Sequence, residues 1–309
     1  MNTALGLSFG RDRVFLVQCS READGVHVYD ATSAAPLTTL SAQSTPSSGT
    51  TVMRVAESLR AALAALPQQS RTIGVALPAS WVFVHTFPAP SNAPSAMLQE
   101  RSAWEVAQHF GVAKPDDVAA TVFPLMRDQG SYLSIAYPKH VLVRLHELFD
   151  AMGLDMASTA VDVLSAERTL RHSYADIAAG PVAIIECGGL GGSVSVMRDH
   201  AVSVLAQHPQ LDSAAGVVSA LEQAEGRAGY HAMEIMVWGE VLTSDLLGEI
   251  EARLPLRRVR RLNAFRGLIP DGLNARVEAY IRRTAHLFPA AVGAALEALD
   301  REPSSNGRP

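Results

Sequence analysis

Apolar and polar positions along this 309-residue chain fall twice into the same order of short elements. Residues 5–17, LGLSFGRDRVFLV, and residues 183–195, AIIECGGLGGSVS, each consist of an apolar run, a glycine-containing turn and a second apolar run. Both patterns predict a tight β-hairpin. Superposing Ser8 on Glu186, an offset of 178 residues, also brings Gly10 onto Gly188. A third strand follows each hairpin, at residues 25–29 and 201–206, then an amphipathic helix, at 52–66 and 212–225, then a further strand, at 72–77 and 233–238. Two tandem β-β-β-α-β units predict an α/β fold of two duplicated lobes with a cleft between them.

Residues 79–154 have no counterpart in the second half and read as an α+β subdomain inserted into the first lobe. The run WVFVHTFP at 81–88 predicts a strand stopped by Pro88 and Pro90. A helix after Pro94, capped by Ser95, carries Leu98, Arg101, Trp104, Val106 and Phe110 near helical spacing. Strands at 118–126 and 131–137 turn at 128–130, and a helix at 139–152 ends at Gly153, which suits a left-handed cap. Lobe one with its insertion then spans 1–178 and lobe two 179–300. In lobe two, a helix from Val161 leads in, a helix at 243–254 is capped by Thr243 or Ser244, and a strand follows at 257–262. The closing helix at 285–299 holds Gly293, which lets another backbone come close. Residues 31–51, rich in Ser, Thr, Ala and Pro, read as a surface loop, and the tail 301–309 as disordered.

Composition narrows the function class. A net charge of −5 with no basic, aromatic-interleaved stretch gives no reason to expect nucleic acid. The first residues lack a signal peptide's basic and apolar regions, and no apolar run is long enough to span a membrane, so the chain reads as cytoplasmic. Cys19 and Cys187 sit in predicted strands, where buried inert thiols are expected.

Few residues present themselves for chemistry. The turn Gly188-Gly189-Leu190-Gly191-Gly192 offers successive amides that would cradle an anion; the alternative is a plain mobile turn. Arg257, Arg258, Arg260 and Arg261 around Val259 present either a basic edge for an acidic partner or an edge strand guarded against aggregation. His85, His109, His140 and His146 lack the spacing of a metal site, and no Gly-x-Ser-x-Gly elbow is present. Trp104, beside Glu105 on an amphipathic helix, reads first as a core residue; exposed, it would suit peptide capture.

The order of LGLSFGRDRVFLVQC, VALPASWVFVHTFPAP, ERSAWEVAQHFGV, YLSIAYPKHVLVRLHELFDAMGLDMASTAVDVLSAERTL, IIECGGLGGSVSVMRDH and FPAAVGAALEAL resembles the actin-like nucleotide-binding fold. More narrowly it resembles the PilM-type cytoplasmic proteins of type IV pilus assembly, relatives of the cell-division protein FtsA. That resemblance implies an ATP cleft in which Ser8, Gly10 and Arg11 on one turn, and Glu186, Gly188, Gly189, Gly191 and Gly192 on the other, face the phosphates. Glu186 would hold Mg²⁺ and Gly239 would belong to the adenosine loop. Several positions depart from the family pattern. Ser8 replaces an acidic residue and Phe15 a lysine, and VWGEV at 237–241 stands for SGGGA, with bulky Trp238 and with Glu240 set to repel a phosphate. These departures imply a degenerate nucleotide cleft; the alternatives are an active actin-like ATPase or small-molecule kinase, or a self-associating FtsA-like filament former. The resemblance further implies a scaffold beneath a pilus or type II secretion-like machine, at the inner face of the inner membrane. It would hold the N-terminal peptide of a PilN-type inner-membrane partner between lobe one and the insertion. The expected groove is walled by the 81–87 strand, the Trp104 helix and the 131–137 strand, with Trp81, Val84, Trp104 and Tyr132 lining it.

Overall fold

A computed structural model describes residues 2–34, 59–60, 62–64, 66, 70–90, 92–110, 114–125 and 130–301. The chain opens with an antiparallel meander of β1 (Asn2–Phe9), β2 (Val14–Glu22) and β3 (Gly25–Ala34). β3 runs on through residues 31–34, which the sequence assigned to a loop, because it keeps pairing with β2 as far as Val14 opposite Ala34. Residues 35–51 lie outside the described residues. So does most of the expected helix at 52–66, of which residues 59, 60 and 62–64 are helical, with Leu59 and Ala62 buried in the first lobe's core. β4 (Thr72–Leu77) then lies parallel to β1.

Beyond β4 the chain leaves this sheet. A one-turn 3-10 segment, Ala79–Trp81, precedes β5 (Phe83–Pro88). Trp81 is therefore not the start of a strand. Its ring is 1% exposed and packs on Phe9 at a centroid distance of 5.0 Å. Helix α1 (Ser95–Phe110), β6 (Val118–Pro124), β7 (Ser131–Pro138) and helix α2 (Lys139–Asp150) complete a β-α-β-β-α unit whose strands order as β5-β7-β6. Gly153, at φ +72°, turns the chain out of α2. A strand that the sequence pattern missed, β8 (Asp155–Val161), returns to the main sheet parallel to β4. The first sheet thus orders as β3-β2-β1-β4-β8, with a short strand from the C-terminal region, β14 (Ile269–Pro270), added beside β3.

Helix α3 (Asp162–Ser173) and the single turn α4 (Ala175–Ala178) lead to the second sheet. Its strands are β9 (Val182–Gly188), β10 (Gly191–Arg198), β11 (Ala201–His208), β12 (Glu234–Trp238) and β13 (Arg258–Arg261), in the order β11-β10-β9-β12-β13. The order β3-β2-β1-β4-β8 in the first sheet matches it strand for strand. The hairpins share a register as well: Ser8 lies opposite Phe15 and Glu186 opposite Ser193, the same positions shifted by 178. Helix α5 (Ala214–Ala228) is capped by Ser213, whose hydroxyl accepts the Gly216 amide, and is closed by left-handed Gly229. The hydroxyl of Thr243 accepts the Leu246 amide and caps α6 (Ser244–Arg253).

The second lobe does not extend to residue 300. β14 (Ile269–Pro270) pairs with β3, and α7 (Ala275–Thr284) and α8 (Pro289–Asp300) bury their apolar faces against lobe one. The physical reason is close packing. A Cβ on Gly6, Gly74 or Gly293 would strike backbone atoms of Ala291, Ala294 and Ser165 respectively, so α8 lies almost directly on β1, β4 and α3. Its run of alanines fits that narrow gap, and any larger side chain would pry the layers apart.

Candidate functional site

The hairpin turns meet at the cleft between the sheets. Ser8, Gly10, Glu186, Gly188, Gly189, Gly191 and Gly239 all border one cavity of about 30 Å³. Gly192 sits behind it, where a Cβ would be 2.7 Å from Leu211. Arg11 faces a wider basin of about 380 Å³ at the cleft mouth, together with Asp12, Arg13, Glu240 and Leu287. Trp238 also borders the inner cavity and is almost fully buried. Gly239 is required where it stands, because its φ is +116° and a Cβ there would collide with the Cys187 backbone.

Two carboxyl groups meet on the floor. Asp162, the first residue of α3, accepts the Ala79 amide at 3.1 Å on one oxygen and the Val163 amide at 2.7 Å on the other. Glu186 accepts the Ser193 hydroxyl at 2.8 Å and is hydrogen-bonded to Asp162. Burial raises both acids: Asp162 to about 6, held there by its two amides, and Glu186 well above the usual carboxylate range, with the neighbouring Asp162 charge adding to the rise. Burial and their mutual proximity both favour the protonated form of the pair. The sequence analysis missed Asp162. An acidic residue opening a predicted helix was its only local signal, and its contact to Ala79 spans 83 positions.

Glu240 occupies the space between the turns. Its carboxylate accepts the Arg11 amide at 2.7 Å and the Gly189 amide as well. It stands between the inner cavity and the outer basin, bordering both. Burial raises its pKa, and the two amides and Arg13 oppose that rise. A cavity of about 30 Å³ has room for roughly two waters and not for a nucleotide's phosphate chain. The donors of both turns already serve Glu240, and Glu186 is already bonded to Ser193 and Asp162. In this closed form the residues do not fit ATP with Mg²⁺.

A second concavity, about 330 Å³, lies between the insertion and lobe one. Thr121 and Phe123 on β6, and Ile135 and Tyr137 on β7, form one wall, and residues 159–161 of β8 with Leu164, Arg168 and Arg171 of α3 form the other. Both β6 and β8 are outer strands of their sheets. The expected lining residues fall elsewhere, with one exception. Val84 lies opposite Ile135 and packs toward lobe one, on the groove face of the small sheet. Tyr132 points to the other face, clustered with Phe87 and Leu98 under α1. Trp104 is 56% exposed on α1, so it is neither a core residue nor part of this groove. Trp81 is in the core. Alternation along each strand sends neighbouring residues to opposite faces, and the sequence alone does not say which face looks toward the groove.

The remaining candidates are structural. Arg257 pairs with buried Glu225 at 2.6 Å, Arg258 and Arg260 with Glu234, and Arg261 bonds Ser244. His85 bonds Glu105 at 3.0 Å. Cys19 and Cys187 are buried free thiols, both pushed up to about 12 by burial. Among the described residues no helix is long and apolar enough to cross a membrane.

No protein-family model matches the sequence, and no curated protein matches it. Solved structures do. The chain is similar to one described as a PilM-PilN type IV pilus biogenesis complex, at 15% identity over 96% of this chain and 98% of that one, with a TM-score of 0.75. The cytoplasmic domain of EpsL, from the type II secretion system of Vibrio cholerae, matches at 12% identity over 92% of this chain and 94% of its own, with a TM-score of 0.48. A Bacteroides thetaiotaomicron protein with an actin-like ATPase fold matches at 7% identity over 91% and 96%, with a TM-score of 0.49. The likeness at a TM-score of 0.75 is one of fold. Together with the duplicated sheets, it shows the actin-like two-lobed α/β fold.

Proposed function

We propose that this chain is a cytoplasmic scaffold of a type IV pilus or type II secretion-like assembly, and that it takes the N-terminal peptide of a PilN-type inner-membrane protein into the groove between β6 and β8. The observation that carries this reading is the groove itself. Two outer strands border one concavity floored by apolar side chains and rimmed by Arg168, Arg171 and Arg301. An extended segment suits such a place: its backbone completes the edges while its side chains enter the apolar floor. The protein of like fold described in complex with PilN supports the choice of partner. Membrane association would come through that partner.

The site moves from the Trp104 helix to the opposite face of the small sheet. Fluorescence anisotropy with labelled N-terminal peptide from an inner-membrane protein encoded next to this one tests it. Phe123→Glu and Thr121→Arg, both at exposed groove positions, should each weaken capture about tenfold or more, which corresponds to ~1.4 kcal/mol. Trp104→Ala should leave capture unchanged, with circular dichroism reporting folding. Capture lost in Trp104→Ala and kept in the groove variants would place the peptide on α1 instead.

A further inference from the structure

We propose that Glu240 is a built-in anion: its carboxylate takes the amide donors of the two hairpin turns that would otherwise grip an oxyanion such as phosphate, and so holds the lobes closed without a ligand. Glu240 lies in the cleft, apart from the peptide groove. Tight hairpin turns aim backbone amides into a concavity that attracts anions. Here the β1–β2 turn contributes the Arg11 amide and the β9–β10 turn the Gly189 amide, 178 positions apart in sequence and converging on one carboxylate. Each lobe supplies one donor, so the same anion ties the lobes together.

The fit around that carboxylate is tight. A Cβ on Gly10 would strike Glu240, and one on Gly189 would lie 2.7 Å from Glu240 Oε2. Glycine at both positions is what admits the carboxylate to the amides. Its stem is fixed as well. Gly239, one residue earlier, donates its amide to the His286 carbonyl, and Val241, one residue later, donates to the Cys187 carbonyl. The segment carrying Glu240 is thus bonded on both sides, and the side chain is directed into the turns rather than free to swing to solvent. Among the charged groups around it, Arg13 attracts the carboxylate, while Asp12 and Glu186 repel it. Glu240 divides the inner cavity from the basin at the mouth, so an entering phosphate would have to displace it.

Amide hydrogen exchange on the full chain, resolved at Arg11 and Gly189, tests the proposal with inorganic phosphate as the probe. Glu240→Ala should speed exchange at both amides about tenfold or more and leave helix α5 unchanged. Millimolar phosphate should slow these amides again in the variant and have no effect on the wild type. Equal exchange in both proteins, faster exchange that phosphate fails to reverse, or equal protection of the wild type by phosphate would each overturn the proposal. Should the alanine variant not fold, Glu240→Gln keeps an acceptor without its charge. Phosphate should then raise the melting temperature of that variant and not of the wild type; equal shifts would overturn the assignment.

Discussion

The first hairpin and the second have the same register and the same turn glycine, yet their chemistry has diverged at the position that matters most. Ser8 lies near the end of β1, neutral and almost fully buried; Glu186 lies near the end of β9, acidic and bonded to Asp162. Strand pairing constrains the backbone identically in both, because a one-residue slip would turn every buried side chain outward. Nothing in the pairing fixes what the last inward side chain must be. The cleft floor therefore draws its acid groups from Glu186 of lobe two and from Asp162 at the lobe junction, while the first turn contributes an amide. The outer strands differ in a parallel way. β8 borders the groove, whereas its counterpart β13 carries arginines that pair with Glu234 of β12.

The hardest blow to this asymmetry is Ser8→Asp, which restores a carboxyl on the first turn. Ser8 is 4% exposed and shares its cavity with Asp162 and Glu186. A further acid there would join them in a cavity whose lining holds no basic side chain. It should cost about 3–5 kcal/mol of stability, read from urea midpoints, and Mg²⁺ should recover part of the loss. An unchanged midpoint would mean that the two hairpin ends do not share one cavity.

Stability should also run against the usual dependence on pH. The folded pKa of Asp162 is raised to about 6, that of Glu167 to about 7, and that of Glu186 well above its ordinary value, each chiefly by burial. A raised acid binds its proton more tightly in the folded chain than in the unfolded one. Its favourable effect is full below the unfolded pKa near 4 and is lost as pH climbs through the folded value. The melting temperature should fall between about pH 5 and pH 8. Asp162→Asn, which keeps an acceptor for one amide, should flatten the slope; an unaltered slope would assign the dependence to Glu167 or to other groups.

Most of the strand architecture was legible because both halves repeat the same apolar runs around glycines, and buried strands read clearly as such runs. The two hairpins, the insertion strands and the last helix fell within a few residues of their places. The pattern failed where it is weak. β8, DMASTAV, is short, rich in small residues and buried irregularly. Helix α7, ARVEAYIRRT, has Ile281 as its one buried residue, and the sequence pattern assigns it no element. The return of the C-terminus to lobe one rests on Gly6 and Gly74 meeting α8, contacts across nearly the whole chain. At the cleft, the glycine turns and Glu186 were visible; the direction of Glu240 was not. Repulsion of phosphate and replacement of phosphate begin from the same residue type, and only geometry separates them.

The turn glycines give a subtler test. A Cβ on Gly188 would lie 2.6 Å from the Gly191 carbonyl, which is backbone and cannot yield, whereas one on Gly10 meets only the carboxylate of Glu240. Gly188→Ala should cost about 2–3 kcal/mol and Gly10→Ala about 1 kcal/mol. In a Glu240→Ala background the cost at Gly10 should vanish while that at Gly188 remains, a coupling that a double-mutant cycle reads directly. Equal residual costs would show that Glu240 does not fill the first turn.

The smallest effect belongs to the outer strands. Arg258 and Arg260 pair with Glu234 at 3.1 and 3.5 Å, with side chains 73% and 44% exposed. Exposed pairs contribute little, so Arg258→Ala with Arg260→Ala should cost under about 1 kcal/mol by urea denaturation. The consequence should appear instead in association. β13 ends the second sheet, and charged side chains on an edge strand disfavour the addition of another strand. Light scattering on warming should therefore rise in the double variant, while peptide capture should stay at the wild-type level under the proposal that the peptide lies between β6 and β8. Loss of capture with no change in scattering would reverse the assignment, making the basic edge of lobe two the docking strand and the groove of lobe one the bystander.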